Sequence, residues 1–392
     1  MTQSDVQCSE RRKRILIGQL GSYGDCLYAT TVARQIKNDY PGCHLTWAVG
    51  SLYRTILDGN PYIDDVWEFP LSTRNDLLDR WQMFEDEALK RKSLGDFDEI
   101  FLTQVFPNNL RYFDGTLRSS IFRAYENPIT VPVAPVLRLS PKEVESVRLF
   151  ALSHLLSERK NVVLFECSPK SGQSFVYLQF ALDVSMKLIE EVPDTCIILS
   201  SSESFHITDK RIIDGSVLSF RENAELTKYC TLLVGCSSGI SWLCTSDWAK
   251  PLPMVQLLSK GTNMYASFVY DHEFQGIAVD TIIEMTDCSE HKLFQCLKAI
   301  LTEGFDAARM RYHESIRVGF SFYTTTIINE LVLKSKYIDA IMSLRHTVKR
   351  YGIHPQLFIK CSIKIFKGLA KQLVQSLSAK FHKAYMSANL KR

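Results

Sequence analysis

No apolar run in this 392-residue sequence approaches the ~18 residues of a membrane-spanning helix, so the reading is of a chain without a helical membrane span. Met1 to Gln7 is polar, and no apolar segment of signal-peptide length follows the basic cluster Arg11 to Arg14, so no secretion signal is expected. Paired cysteines are missing as well. The eleven cysteines are an odd number, scattered, with no C-x-x-C among them, which suits reduced thiols in a cytosol better than a disulfide framework or a zinc site. His206, His272 and His291 have no partner spacing that suggests a ligand set, and no metal is expected. No internal repeat of solenoid length is found. Acids are nearly absent from the C-terminal stretch, where Lys334 to Arg392 holds thirteen Lys and Arg against one acid, Asp339. The formal net charge of +3 therefore hides a mildly acidic body and a strongly basic tail, a statement about partners rather than fold.

What is present is an ordinary globular composition, 46% hydrophobic and 23% charged, on a chain long enough for two cores. It is organised around Arg14 to Ala33. An apolar run, Ile15-Leu16-Ile17, reads as a buried strand and enters a turn, Gly21-Ser22-Tyr23-Gly24. Asp25 then stands in the first turn of a helix whose apolar positions (Leu27, Ala29, Val32, Ala33, Ile36) recur at three- and four-residue spacing. A strand, a glycine turn and a helix N-terminus put backbone N–H groups at the carboxyl edge of a sheet, where open α/β folds bind ligands. The spacing of Gly18, Gly21 and Gly24 is not that of the dinucleotide fingerprint, and a carboxylate occupies the place of a phosphate. The loop therefore presents Asp25 to something else. The bland alternative is an acid that merely stabilises the helix dipole, worth ~0.3–1 kcal/mol.

The alternation continues with strands at His44 to Val49, Val66 to Phe69 and Glu99 to Leu102, a short helix at Leu52 to Leu57 and a charged helical stretch from Arg74 to Lys92. Pro128, Pro132 and Pro135, with Pro141 just beyond, break regular structure and mark a linker. After it come a helix from Pro141 to about Leu156, a strand at Asn161 to Phe165, a polar loop from Cys167 to Gln173 and a helix from Phe175 to Glu191. Strands at Thr195 to Leu199, Leu232 to Gly235 and Pro253 to Leu257 follow, with a small-residue turn, Cys236-Ser237-Ser238-Gly239, ahead of a helix from Ile240 to Asp247. The expected fold class is α/β, two Rossmann-like doubly wound domains (residues 1–135 and 136–320) with a helical basic extension (321–392). In that extension Leu357 to Tyr385 reads as an amphipathic helix, with Phe366, Leu369, Leu373, Leu377 and Phe381 on one stripe and Lys360, Lys364, Lys367 and Lys371 on another. It has three readings: an anionic membrane surface, favoured here, a nucleic acid, for which no motif speaks, or a brace across the two domains.

At Gly24-Asp25-Cys26-Leu27, Tyr40-Pro41, Thr46-Trp47-Ala48-Val49 and Asn60 to Asp64 the sequence resembles glycosyltransferase family 9, the heptosyltransferases and their relatives. That family's later signature falls on Gly235 to Leu243, where Ser237 replaces an aspartate and Trp242 a histidine. The resemblance covers Arg14 to Leu257. It implies a GT-B architecture and a metal-independent, inverting sugar transfer with Asp25 as general base. Gly21, Ser22, Tyr23 and Gly24 would form the acceptor-side loop. The donor and its phosphates would meet Ser168, Lys170, Ser171, Gln173, Glu203, Ser237, Ser238 and Gly239. Lys170 is the one lysine in its loop, and Gln173 shares the column of the family's phosphate-binding lysine. The implied partners are a nucleotide-sugar donor and a cell-envelope glycan or glycolipid acceptor, with no further cofactor and no nucleic acid. The implied location is the cytoplasm, peripheral on the inner face of the membrane through residues 357–392. Two alternatives stand beside this: a nucleotide-sugar epimerase or hydrolase on the same architecture, and a catalytically degenerate sugar-nucleotide-binding protein, motivated by Ser237 and Trp242.

Overall fold

The structure, a computed structural model, describes residues 11–374 except 108, 171, 358, 360, 361, 372 and 373. Strand β1 (Arg14–Gly18) is buried from Ile15 onward and pairs in parallel with β2 (His44–Gly50) on one side and β4 (Glu99–Leu102) on the other. β3 (Asp65–Phe69) adds to β2, giving a four-stranded sheet in the order β3-β2-β1-β4. Helix α1 (Tyr23–Asp39) joins β1 to β2, and α2 (Asp76–Ser93) joins β3 to β4. A short helix, α3 (Arg118–Arg123), follows the long loop after β4.

The second sheet has six parallel strands, β5 (Asn161–Glu166), β6 (Thr195–Ser200), β7 (Ile212–Asp214), β8 (Leu232–Gly235), β9 (Met254–Leu258) and β10 (Ile282–Thr286), in the order β10-β9-β8-β5-β6-β7. Successive side chains of β5 enter two different apolar clusters, Val162 and Leu164 in one, Val163 and Phe165 in the other. A strand buried on both faces needs such an uninterrupted apolar run. Helix α4 (Pro141–Ser153) precedes it, α5 (Leu178–Glu191), α6 (Glu222–Leu226), α7 (Gly239–Leu243), α8 (Asn263–Ala266) and α9 (Phe268–Phe274) lie between its strands, and α10 (Glu290–Glu303) and α11 (Phe305–Tyr312) follow β10. β7 and β10 were not expected. β7 has only three residues, too few for a period to show.

Strand order reverses once in each sheet, between β1 and β4 in the first and between β5 and β8 in the second. Ligands of open α/β sheets bind at such switch points, beyond the carboxyl ends of the strands. The proline-rich stretch has no regular structure and lies along α1: the Thr130 and Val131 amides donate to Gln35 Oε1 (2.7 and 3.0 Å), and the Val136 amide donates to Thr30 Oγ1 (2.7 Å). Arg221 ties the halves where the chain has crossed over. Its buried guanidinium donates to Glu143 (2.7 Å), to the carbonyls of Thr55 (2.6 Å) and Asp58 (3.2 Å), and to that of Arg138 (2.5 Å).

Helix α12 (Ser321–Ile327) leads through a π-turn to α13 (Tyr337–Tyr351), which crosses back to the first half. Ser343 Oγ donates to the Phe113 carbonyl (2.7 Å). Arg350 reaches Asp114 (2.8 Å), Thr116 (2.6 Å) and Ser119 (3.0 Å) of the first half and the Tyr270 carbonyl (2.5 Å) of the second. The start of the basic tail is therefore a brace. Of the helix expected at Leu357 to Tyr385, residues 363–371 are helical, while residues 375–392 lie outside the described residues. Among the described residues no helix is long and apolar enough to cross a membrane.

Candidate active site at two facing switch points

The loop after β1 is fixed by buried amides. Gln19 Nε2 donates to the Gly21 carbonyl (2.6 Å) and to Gln104 Oε1 (2.9 Å), which also accepts the Gly21 amide (3.0 Å). Glycine is required at 21 because a Cβ there would lie 2.5 Å from the Tyr53 ring. The chain then turns into α1, where Asp25 occupies the first turn with its side chain 13% exposed. Ser22 Oγ donates to it (3.3 Å). Burial pushes the Asp25 carboxyl above its ordinary range, and Arg118, Ser22 and Arg74 pull partly against that shift.

Arg118 comes from the other side of the same switch point, after β4. Its side chain is 2% exposed, its Nη2 stands 3.9 Å from Asp25 Oδ1, and its guanidinium lies 4.6 Å over the Trp242 ring. Its Nε and Nη1 have no hydrogen-bond partner, nor does the Trp242 indole N–H. Close by, Asp271 of α9 is 1% exposed, and the Ser119 backbone amide acts on its carboxyl. Burial raises it to about 7 against the pull of Arg118 and Arg350. Arg118, Trp242 and Asp271 thus gather buried polar groups beside Asp25 at the switch point.

The second sheet meets this group directly. Gly24 of α1 faces α7: a Cβ on it would lie 3.4 Å from Arg118 Nη2, 3.5 Å from Trp242 and 3.7 Å from Gly239 Cα. Tyr23 packs on Phe220 with ring centroids 4.6 Å apart. The turn after β8 is held from below by Glu166, the last residue of β5, which accepts the Cys236 amide (2.9 Å), the Ser241 hydroxyl (2.7 Å) and the Ser238 hydroxyl. Ser237 has φ 51° and is fully buried. Its amide donates to Gln256 Oε1 (2.8 Å) and its hydroxyl to the Ala266 carbonyl.

In the loop after β5, Ser168 Oγ meets Ser201 Oγ (3.2 Å), Lys170 is exposed, and Gln173 is buried with its carbonyl accepting the Ser259 amide (2.9 Å). Ser171 lies outside the described residues. Arg74 crosses from the first half and donates to the Lys170 carbonyl (2.8 Å). Glu203 is exposed beyond β6, its amide on Ser201 Oγ (3.1 Å).

The structure thus brings Ser22, Tyr23, Gly24 and Asp25 against Gly239 and Trp242. It places Ser168 beside Ser201 and Glu203, and spends the hydroxyls of Ser237 and Ser238 on the fold itself. Sequence reasoning missed Arg74, Arg118, Asp271 and Glu166. Of these Glu166 alone carries a signal, an acid closing an otherwise apolar strand. Among the described residues no group of His, Cys, Asp and Glu is arranged to hold a metal ion.

No family model and no curated protein matches this sequence. Solved structures do. A family 9 glycosyltransferase from Veillonella parvula superposes with a TM-score of 0.55 at 12% identity, over 74% of this chain and 98% of that one. The ADP-heptose lipopolysaccharide heptosyltransferase II of E. coli gives 0.48 at 13% identity, over 74% and 99%. At such identities the likeness is one of fold, and the fold is GT-B, similar to that of family 9.

Proposed function

We propose that this protein moves a sugar from a nucleotide-sugar donor to a hydroxyl of a glycan or glycolipid acceptor, in one inverting displacement. The acceptor oxygen forms its bond to the anomeric carbon as the bond to the nucleoside diphosphate breaks, and the hydroxyl proton passes to Asp25. The observation that carries this reading is the Asp25 carboxylate itself: it sits at the first sheet's switch point, nearly buried, held above its usual range, and beside an under-coordinated guanidinium. Arg118 and Arg74 supply positive charge for the departing diphosphate, with Lys170 at the rim. The likeness to family 9 supports the reaction class. On this reading the acceptor binds with residues 1–135 and the donor with residues 136–320.

Asp25→Asn tests it. The variant should fold and melt as the parent does, while turnover falls ~10²–10⁴-fold. Parental turnover would remove Asp25 as the base. The donor is found by a thermal-shift screen of ADP, UDP, GDP and CMP sugars, since a ligand at 100 times its dissociation constant stabilises the native state by ~2.7 kcal/mol.

One observation favours a second reading, a sugar-nucleotide-binding protein without turnover. Trp242 stacks on Phe268 at 3.8 Å and covers Arg118 where the resemblance implies a histidine. Nucleotide-sugar binding without product across a panel of acceptors would select it.

A further inference from the structure

Nine of the 23 large apolar side chains exposed among the described residues fall between Leu333 and Val374, about a ninth of the chain. They are not scattered. On α13 the buried stripe is Ala340, Ser343 and Thr347, set against the first half. The opposite stripe holds Ile338 (74% exposed), Ile341 and Met342, then Arg345 and Lys349, at the three- and four-residue spacing of one helix face. Residues 363–371 repeat the arrangement, with Ile363 and Phe366 (68% exposed) beside Lys364, Lys367 and Lys371, all exposed. The two helices touch where Gly368 meets Tyr337: a Cβ at 368 would lie 2.3 Å from that ring, so only glycine permits the approach. This contact brings the second helix to the end of α13 that carries Ile338.

We infer that this face of α13 and residues 363–371 docks on an anionic lipid surface. Charge selects that occupant over a second copy of the chain: the exposed bases described on this face are Arg345, Lys349, Lys364, Lys367 and Lys371, so two copies of the face repel each other, whereas anionic headgroups attract it. The exposed isoleucines and phenylalanine select it over a nucleic acid, whose backbone offers no apolar phase to receive them. Arg350 and Ser343 hold the same helix rigidly on both halves, so docking would fix the catalytic body relative to the surface. The inference does not depend on Asp25 chemistry, but it gives a glycolipid acceptor a route to the site.

The test uses the full chain in co-sedimentation with vesicles of phosphatidylcholine alone and of phosphatidylcholine with about one third phosphatidylglycerol. The expected result is pelleting with the second only, weakened by salt. The combined variant Ile338→Glu, Ile341→Glu, Phe366→Glu, and separately Lys364→Glu with Lys367→Glu, should each lower partitioning at least tenfold with unchanged circular dichroism. These side chains are exposed, so neither variant disturbs the core. Asp25→Asn should pellet as the parent does, which separates failure of docking from failure of sugar transfer. Parental protein left in the supernatant with both vesicles, or variants that pellet undiminished, would overturn the inference. So would a concentration-dependent dimer that the glutamates dissolve, or tight binding of a duplex oligonucleotide that outcompetes the vesicles.

Discussion

Replacing Arg118 by methionine keeps most of the apolar stem and removes the guanidinium 3.9 Å from Asp25 and 4.6 Å over Trp242. Unit charges ~4 Å apart interact by about 1 kcal/mol in water and about 4 kcal/mol at the effective dielectric typical of protein sites. With Asp25 only 13% exposed, the pair lies nearer the second limit. Losing the cation therefore raises the carboxyl further. Burial already holds it high, and Arg118 is the largest opposing influence. A general base acts only when ionised. The acid limb of kcat/KM against pH should therefore move to higher pH in Arg118→Met, and return part of the way in Arg118→Lys. If Arg118 served only the leaving diphosphate, kcat would fall at every pH with the limb in place. A folded, active Arg118→Met enzyme whose acid limb stays at the parental pH would refute the coupling to Asp25.

Gly21→Ala should destabilise by about 1–3 kcal/mol through overpacking, since the added methyl lies 2.5 Å from the Tyr53 ring, and a lower chemical-denaturation midpoint would show it. Arg221→Ala should cost about 1–3 kcal/mol, because it leaves the carbonyls of Thr55, Asp58 and Arg138 without their donor, while Glu143 keeps the Ser140 amide and hydroxyl. The same denaturation series measures it. Asp271 binds its proton in the fold up to about pH 7, whereas the unfolded chain releases it near pH 4. The stability it lends is complete below about pH 4 and is lost as pH climbs to about 7, at most about 4 kcal/mol. Asp271→Asn should flatten that decline, and parallel pH profiles for the two proteins would dispose of it.

Most of the alternation was legible because fully buried parallel strands are written as apolar runs, as at Ile15 to Ile17 and Asn161 to Phe165, while their helices carry period-3.6 stripes. Asp25 was legible for a local reason: turn, acid and helix are contiguous in the chain. The rest of its surroundings was not. Arg118 stands 93 residues further on, in a stretch where the sequence showed no element, and meets Asp25 only because β4 lies beside β1. Arg74 was read as the start of a helix that begins at Asp76, and it points back across the molecule instead. Composition marked the tail as basic. That Arg350 is nearly buried on Asp114 while Lys349 is exposed depends on one residue of helical phase, which charge counting does not see.

The turn after β8 keeps a carboxylate although its own sequence has none. Where the resemblance implies an aspartate, Ser237 adopts φ 51°, a conformation unfavourable for most side chains, and its amide and hydroxyl are both paired inside the fold. The carboxylate comes from Glu166, carried to the turn because β5 lies next to β8. Gly235 makes room for the network: a Cβ there would sit 2.3 Å from Ser241 Oγ and 2.6 Å from Gln256 Nε2. A network so fully satisfied has little left to offer a ligand, so the hydroxyls of Ser237 and Ser238 are poor candidates for holding a diphosphate. On the proposed reaction positive charge serves instead, from Arg118 beside Asp25 and from Arg74 and Lys170 at the loop after β5. A leucine at 118 would take the cation away from the nearly buried Asp25 carboxyl and from the Trp242 face, so the guanidinium already has work inside the seam. On the proposed reaction its Nε and Nη1 are the nitrogens left to meet the donor's phosphates.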